Sequence, residues 1–424
     1  MQVRSSEGTG ARGRLEAEVA GSSHDIVGMA RALLAVQSAY PPGNTHGVAD
    51  VIASMFSDVD AEVERYGTLP HVMNLVVRIR GARAGRRLVF NGHMDTFPLV
   101  NGQRWTADFN GEERDGKLFG LGVSDMKGGI AAIIFALRHL SKFREQFCGE
   151  LVATFAGDEE SMGTEGSGYL LRHVPHARGD AMISADTGSP KVLRFGEKGM
   201  VWLKLEATGK SAHAAHVHKG ESAIEKLIDA IADLKSLRDH QVSAPAEVLA
   251  AITQSTEVSE AISGQGESDV LRGVTVTFGT INGGRLPNLV ADGASATADI
   301  RLPVGVTVAD IVARVQEIIE KHAGVTFEIT RSYEASWTSP DHELIRALKA
   351  NCTNRLGMIP VVNMRVGASD ARLYRQHGVP SVVCGLTAFN MGAPDEHVYI
   401  DELRALGEIF ALTAFDFLHG DAAS

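Results

Sequence analysis

Apolar positions in residues 24–38 recur with helical spacing, and a turn-rich run, Tyr40-Pro41-Pro42-Gly43-Asn44-Thr45, follows them. A second helix is predicted over 46–57. Short apolar runs at 74–80 and 87–91 read as strands, and a Gly-punctuated loop region covers about 97–124. Residues 127–143 predict a helix with a small-residue face, and 149–156 a buried strand. Short apolar strands alternating with helices give a mixed α/β sheet with helices on both faces.

The pattern changes near Phe195. Val201-Trp202-Leu203-Lys204-Leu205-Glu206 alternates as a half-buried strand does. A helix at about 220–237 follows, then a polar stretch at about 239–272, strands at 273–281 and 289–302, a helix over 307–322 and a strand over 325–333. This β-α-β-β-α-β order is the split, ferredoxin-like α+β unit. The α/β pattern resumes with a helix at 341–355, strands near 361–365 and 380–384, and a final helix at 402–418. One domain inserted within another is therefore expected. Residues 21–196 and 334–424 would form the larger domain, 197–333 the insert, and the polar, Gly-rich residues 1–20 a loose tail rather than a signal peptide.

With 424 residues the chain is too long for one ordinary core, which agrees with two domains. The longest apolar runs, such as 130–137, are too short to span a bilayer. A net charge of −11 argues against nucleic-acid and anionic-membrane surfaces, both of which need concentrated positive charge. The three cysteines, Cys148, Cys352 and Cys384, are far apart and lack metal-type spacing. A disulfide framework is thus not expected, and a reducing, cytoplasmic setting is.

Five segments carry chemistry. Phe90-Asn91-Gly92-His93-Met94-Asp95-Thr96 leads a strand into His-x-Asp, and alternation points His93 and Asp95 the same way. A neutral imidazole is a good zinc ligand, and a carboxylate beside it can orient it. In Ser124-Asp125-Met126-Lys127-Gly128-Gly129, Asp125 precedes a helix and suits either an N-cap or a carboxylate that bridges two metals. A buried strand delivers Asp158-Glu159-Glu160, and such adjacent like charges are costly without a cation. Ala181-Met182-Ile183-Ser184-Ala185-Asp186 is another strand ending in a carboxylate. His397 lies in a polar loop before the last helix, a position that also suits an exposed loop histidine. Open α/β sheets place ligand sites at the carboxyl ends of their strands. Two histidines and three carboxylates of this kind suit zinc, cobalt or manganese.

In this order the motifs resemble the dinuclear zinc deacylases and exopeptidases, the family of acetylornithine deacetylase, succinyl-diaminopimelate desuccinylase, aminoacylase and glutamate carboxypeptidase. The resemblance runs from about residue 25 to the last helix. It implies that His93 and Asp186 hold one metal ion, that Glu160 and His397 hold the other, and that Asp125 bridges them. It further implies that Asp95 supports His93 and that a cis peptide follows Asp125. Glu159 would be the general base, taking a proton from a water between the ions and passing it to the leaving nitrogen. Two divalent ions, zinc first and cobalt or manganese as alternatives, are the implied cofactors.

Within the insert, Gly209-Lys210-Ser211-Ala212-His213 is similar to the family's lid motif. There the histidine reaches the partner subunit's site and steadies the oxyanion, which implies a homodimer; the competing reading is a surface histidine clustered with His216 and His218. Asn288 and Arg301 match lid positions that hold a substrate carboxylate or carbonyl. Arg372, in Gly367-Ala368-Ser369-Asp370-Ala371-Arg372, suits either the substrate loop or a surface helix. Leu121, Val217 and Ser222 depart from the family's usual Arg, Pro and Asn, and Ala185-Asp186-Thr187-Gly188 replaces Glu-Pro-Thr. The function so implied is hydrolysis of an amide C–N bond in a small carboxylate-bearing substrate, an N-acyl amino acid or a dipeptide. Two other readings stay open: hydrolytic deamination of a small aromatic or heterocyclic amine on the same site, and a non-catalytic binding homologue.

Overall fold

Val89 and Phe90 are neighbours on the strand Arg83–His93 and therefore face opposite sides of the sheet. Phe90 packs on Phe410 of the helix Ile400–His419, with ring centroids 5.0 Å apart. Val89 joins Val152, Leu170, Leu171, Met182 and Tyr374 in a second buried cluster under the helices Ser167–His173 and Ala371–Gln376. Both faces of the sheet are covered, as parallel strands require. The structure is a computed structural model and describes residues 4–99 and 104–419.

The chain divides into two compact units. The first comprises residues up to Phe195, then Thr338–Asn363 and Ser369 onward; the second comprises Gly196–Trp337 and Met364–Ala368. In the first, the strand order is Glu62–Leu69, Val72–Arg80, Cys148–Ala156, Arg83–His93, Ala181–Ser184, Ser381–Val383, Val192–Glu197. Four central strands, from Cys148–Ala156 to Ser381–Val383, run parallel, whereas the first two pair antiparallel. The sheet is mixed, as expected, and its parallel strands bring their carboxyl ends to one edge. Register aligns His93 with Ala156 and Asn91 with Ser184 at that edge.

The second unit is a four-stranded antiparallel sheet ordered Thr275–Gly283, Gly293–Leu302, Gly199–Thr208, Val325–Tyr333. The helices Ala223–Leu234 and Val308–Ile319 bury Leu227, Ala230, Ile311 and Val315 against Leu203, Leu205, Ala298 and Ile300. Ser222 caps the first helix by accepting from the Glu225 amide, and Thr307 with Asp310 forms a capping box on the second. This is the inserted α+β unit that the alternation predicts.

Two expectations need correction. Residues 4–22 are a helix rather than a loose tail: Ala11, Leu15 and Val19, four apart, are buried, and Arg12 pairs with Asp416 at 2.8 Å. The polar stretch 239–272 contains the helices Ala246–Ser263 and Glu267–Arg272. Among the described residues, no helix is long and apolar enough to cross a membrane.

Candidate metal centre

The site grows from the shared carboxyl edge of the parallel strands. His93 ends its strand fully buried. Its Nδ1 lies 2.9 Å from the main-chain carbonyl of Asp95 and donates to it, which leaves Nε2 as the ligand nitrogen. Nε2 stands 3.0 Å from Oδ1 of Asp125. Ligand atoms of His93, Asp125 and Asp186 all lie within 4.8 Å of one another, and among the described residues this is the one such cluster.

Asp125 sits in a turn between Gly122 and the helix Gly128–Ser141, with a cis peptide joining it to Met126. The structure thus contains the cis bond that the resemblance implies, and the N-cap position of the helix is Lys127 rather than Asp125. Two things fix this turn. The buried Glu396 carboxylate accepts from the Gly122 and Ser124 amides at 3.0 and 2.9 Å, and from the Ser124 hydroxyl at 2.7 Å. The glycines after it allow close approach: a Cβ on Gly129 would fall 2.2 Å from the Ala185 carbonyl, so only glycine lets the helix sit against the strand end that carries Asp186.

Asp95 supports His93 and does a second job besides. Its carboxylate lies 3.6 Å from His93 Nδ1, beyond hydrogen-bond range. It accepts instead from the backbone amides of Glu159 and Glu160, at 3.2 and 2.9 Å. One residue therefore holds the imidazole with its carbonyl and the acidic loop with its side chain.

Burial raises the proton affinity of Glu159 well above the ordinary carboxylate range, and the charges of Asp186, Asp370 and Glu160 add to it while His93 opposes. Glu160 is pushed up to about 8, first by burial and then by Asp125. Oε1 of Glu160 is buried without a hydrogen-bond partner. For His93, burial works against the imidazolium, yet the Asp125 and Asp95 carboxylates outweigh it and keep the group well above its usual value. Buried acids facing one another around an imidazole, one with an orphaned oxygen, are a donor set that a divalent cation satisfies.

Arg372 is buried rather than on the surface. Its guanidinium donates to the carbonyls of Ser369 at 2.6 Å and Met162 at 2.7 Å, and stands 3.9 Å from Oε1 of Glu159. Asp370 beside it is buried and accepts from the Ser167 hydroxyl at 2.6 Å. Nothing in the local sequence pattern singles out Glu396 or Asp370. Their positions next to His397 and Arg372 are the available signal.

His397 is not among the clustered ligands. Its Nδ1 lies 2.9 Å from the Asp395 carbonyl, and its ring stacks on Phe389 with centroids 5.1 Å apart. His213, Asn288 and Arg301 belong to the second unit. There His213 caps a short turn, accepting from the Ala215 amide at 3.1 Å, and the Asn288 carbonyl accepts from the Ala214 amide at 2.9 Å. Arg301 engages Asp299 through both Nε and Nη2, at 2.7 and 2.9 Å, and lies 3.3 Å from the Tyr333 hydroxyl.

Comparison with known proteins places these features in a family. The chain is 28% identical to succinyl-diaminopimelate desuccinylase of Methylorubrum extorquens over 92% of its own length and 98% of that protein's. It is 29% identical to the enzyme of the same name from Gluconacetobacter diazotrophicus, over 80% and 82% of the two chains. The fold matches the M20 family metallo-carboxypeptidase of Sulfolobus solfataricus with a TM-score of 0.77, at 17% identity and over 93% and 99% of the chains. Residues 89–416 fit the model of peptidase family M20/M25/M40. The chain belongs to that family of hydrolases, whose members act on amide bonds.

Proposed function

We propose that this protein removes an acyl group from a small N-acyl amino acid, or splits a comparably small dipeptide, with Glu159 as general base. The observation that carries the proposal is the meeting of His93, Asp125 and Asp186 at the sheet edge where the loop of Glu159 and Glu160 is pinned by Asp95. When a divalent ion is bound there, it supplies a water of lowered pKa and polarises the scissile carbonyl. His93, Asp125 and Asp186 would hold it, and Glu160, whose proton affinity Asp125 raises, is a further proposed ligand. Glu159 takes the proton from the attacking water and delivers it to the leaving nitrogen. Its raised proton affinity suits a base that must take a proton from the attacking water. Arg372 keeps the Glu159 loop in place through the Met162 carbonyl.

The names of the curated relatives favour an N-acylated amino acid with a free carboxylate. Asn288 and Arg301 are the proposed contacts for that carboxylate, and His213 the proposed donor to the oxyanion, acting in a homodimer built through the second unit. Zinc is the proposed ion, with cobalt or manganese able to replace it, and the cytoplasm the proposed location. A screen of succinyl, acetyl and glutamyl amino acids, scored for both carboxylate and ammonia release, tests the substrate class and separates amide hydrolysis from deamination. Glu159→Gln is expected to lower kcat by about 10²- to 10⁴-fold while metal content stays unchanged. Full activity in the metal-loaded variant would remove Glu159 as the base.

A further inference from the structure

Two residues before His93, Asn91 begins a run of polar side chains that the mechanism above does not use. Asn91, Thr154, Ser167, Asp370 and Tyr374 are all buried. The Asn91 side-chain amide donates to the Ser167 hydroxyl at 3.0 Å and to the Thr154 hydroxyl at 3.3 Å. Thr154 donates to the Phe90 carbonyl at 3.3 Å, so the Tyr374 hydroxyl, 2.7 Å away, donates to Thr154. Ser167 donates onward to Oδ2 of Asp370 at 2.6 Å. From Asn91 the donors thus run in order to Asp370, and the run ends in a group that accepts. Burial works against the charge of Asp370, while Arg372 and the Ser167 bond work for it.

The other oxygen of Asp370 is turned to the loop of the acids. Oδ1 is buried with no hydrogen-bond partner among the described residues, and a Cβ on Gly163 would fall 2.5 Å from it. Gly163, at a φ of +70°, can take that place because it has no side chain. It follows Met162, whose carbonyl accepts from Arg372 at 2.7 Å. Asp370 and Arg372 therefore meet neighbouring residues of one turn, which ends the segment of Glu159 and Glu160. The Arg372 cation stands between two carboxylates, Asp370 two residues before it and Glu159 at 3.9 Å.

We propose that Asp370 is a positioning residue for the general base: it seats the turn at Gly163 and balances the Arg372 cation, so that Arg372 stays on its two carbonyls and does not close on Glu159. The proposal rests on the reading of Glu159 as the base. A guanidinium and a carboxylate with nothing competing close to about 2.7–2.9 Å. A carboxylate gripped that way has one oxygen fewer for the water it must deprotonate. Asp370 offers Arg372 a second anion, and the Ser167 hydroxyl fixes where that anion sits. An amide of the same shape would still accept from Ser167 but would leave the cation unbalanced.

Steady-state kinetics on the metal-loaded full-length chain test this, with the N-acyl amino acid that it hydrolyses fastest as the probe. Asp370→Asn is expected to lower kcat about 10- to 100-fold, with KM changed by less than about twofold and bound metal at the wild-type level. Ser167→Ala leaves the carboxylate and removes its donor. It is expected to lower kcat in the same way by a smaller factor, and it carries the test if Asp370→Asn does not fold. In a Glu159→Gln background, Asp370→Asn is expected to add no further loss, because it acts through that residue. Losses that multiply in the double variant, a rise in KM alone, a fall in kcat that tracks lost metal, or wild-type kcat in both single variants would overturn the proposal. Full activity in Glu159→Gln would instead remove the base reading on which it rests.

Discussion

Arg372 is placed to support the loop that carries Glu159. Its fork spans the Ser369 and Met162 carbonyls, and Met162 is the second residue after Glu160. Arg372→Met removes both bonds and the cation facing Glu159. We expect kcat to fall about 10- to 100-fold with KM changing less, the pattern of a lost support to the base. Steady-state kinetics on a hydrolysed substrate would check it, and a rise in KM alone would return Arg372 to substrate contact. Gly129→Ala is the steric counterpart. The added methyl would meet the Ala185 carbonyl at 2.2 Å, so the helix must retreat from Asp186. A loss of about 1–3 kcal/mol in a denaturant titration, with weaker metal retention, is expected. At this scale the sequence revealed which residue types sit at the site, because His93, Asp125 and Asp186 end strands or turns whose apolar runs are plain. It did not reveal what they touch. That Asp95 grips the amides of Glu159 and Glu160 depends on the pairing of two strands more than fifty residues apart, which no local pattern encodes.

Elements with a strong apolar period were legible, and those built on small residues were not. The helix Ala246–Ser263 buries Val248, Ala251, Ile252, Ser255 and Ser259. The spacing is helical, but two of the five are serines, so the run reads as polar. The N-terminal helix hides its stripe in the same way, behind Gly, Ser and Arg. The 246–272 segment is tied down by Lys198, a buried lysine that donates to the carbonyls of Val270 and Gly273 at 2.5 and 2.7 Å. Burial lowers the pKa of Lys198 to about 7, with Arg301 contributing, against an ordinary 10.5. Between those values the unfolded chain binds the extra proton, so the stability of this unit should increase as pH rises through that window. Thermal unfolding from pH 6 to 10 is expected to show that upward trend in the wild type and a flatter profile in Lys198→Met. Equal slopes in the two proteins would show that Lys198 stays charged when folded.

The whole molecule has two cores that do not share their buried residues, and the inserted arrangement could be inferred because alternation by two replaces the α/β rhythm at Phe195 and gives way to it again after Tyr333. A single two-state transition is therefore not expected. Ligand linkage acts only on the unit that binds: an ion at a hundred times its Kd adds about 2.7 kcal/mol. Stripping metal with a chelator should lower the calorimetric transition of the first unit, where His93, Asp125 and Asp186 lie, and leave that of the second in place. A chelator that shifts both transitions equally would show that the units melt together.

The chain leaves the first unit at Phe195 and returns at Thr338, and the amide of Thr338 donates to the carbonyl of Phe195 at 2.8 Å. More than 140 residues, 196–337, are thus spliced in at one doorway, and Met364–Ala368 join the same unit from later in the chain. A short turn grafted across it would complete the host without disturbing the strand ends that carry the acids, because the closure is already made. The excised first unit should keep its metal centre and, on the roles proposed for Asn288, Arg301 and His213, handle substrates poorly. The same doorway would also let such a scaffold exchange one guest module for another without rebuilding its chemistry.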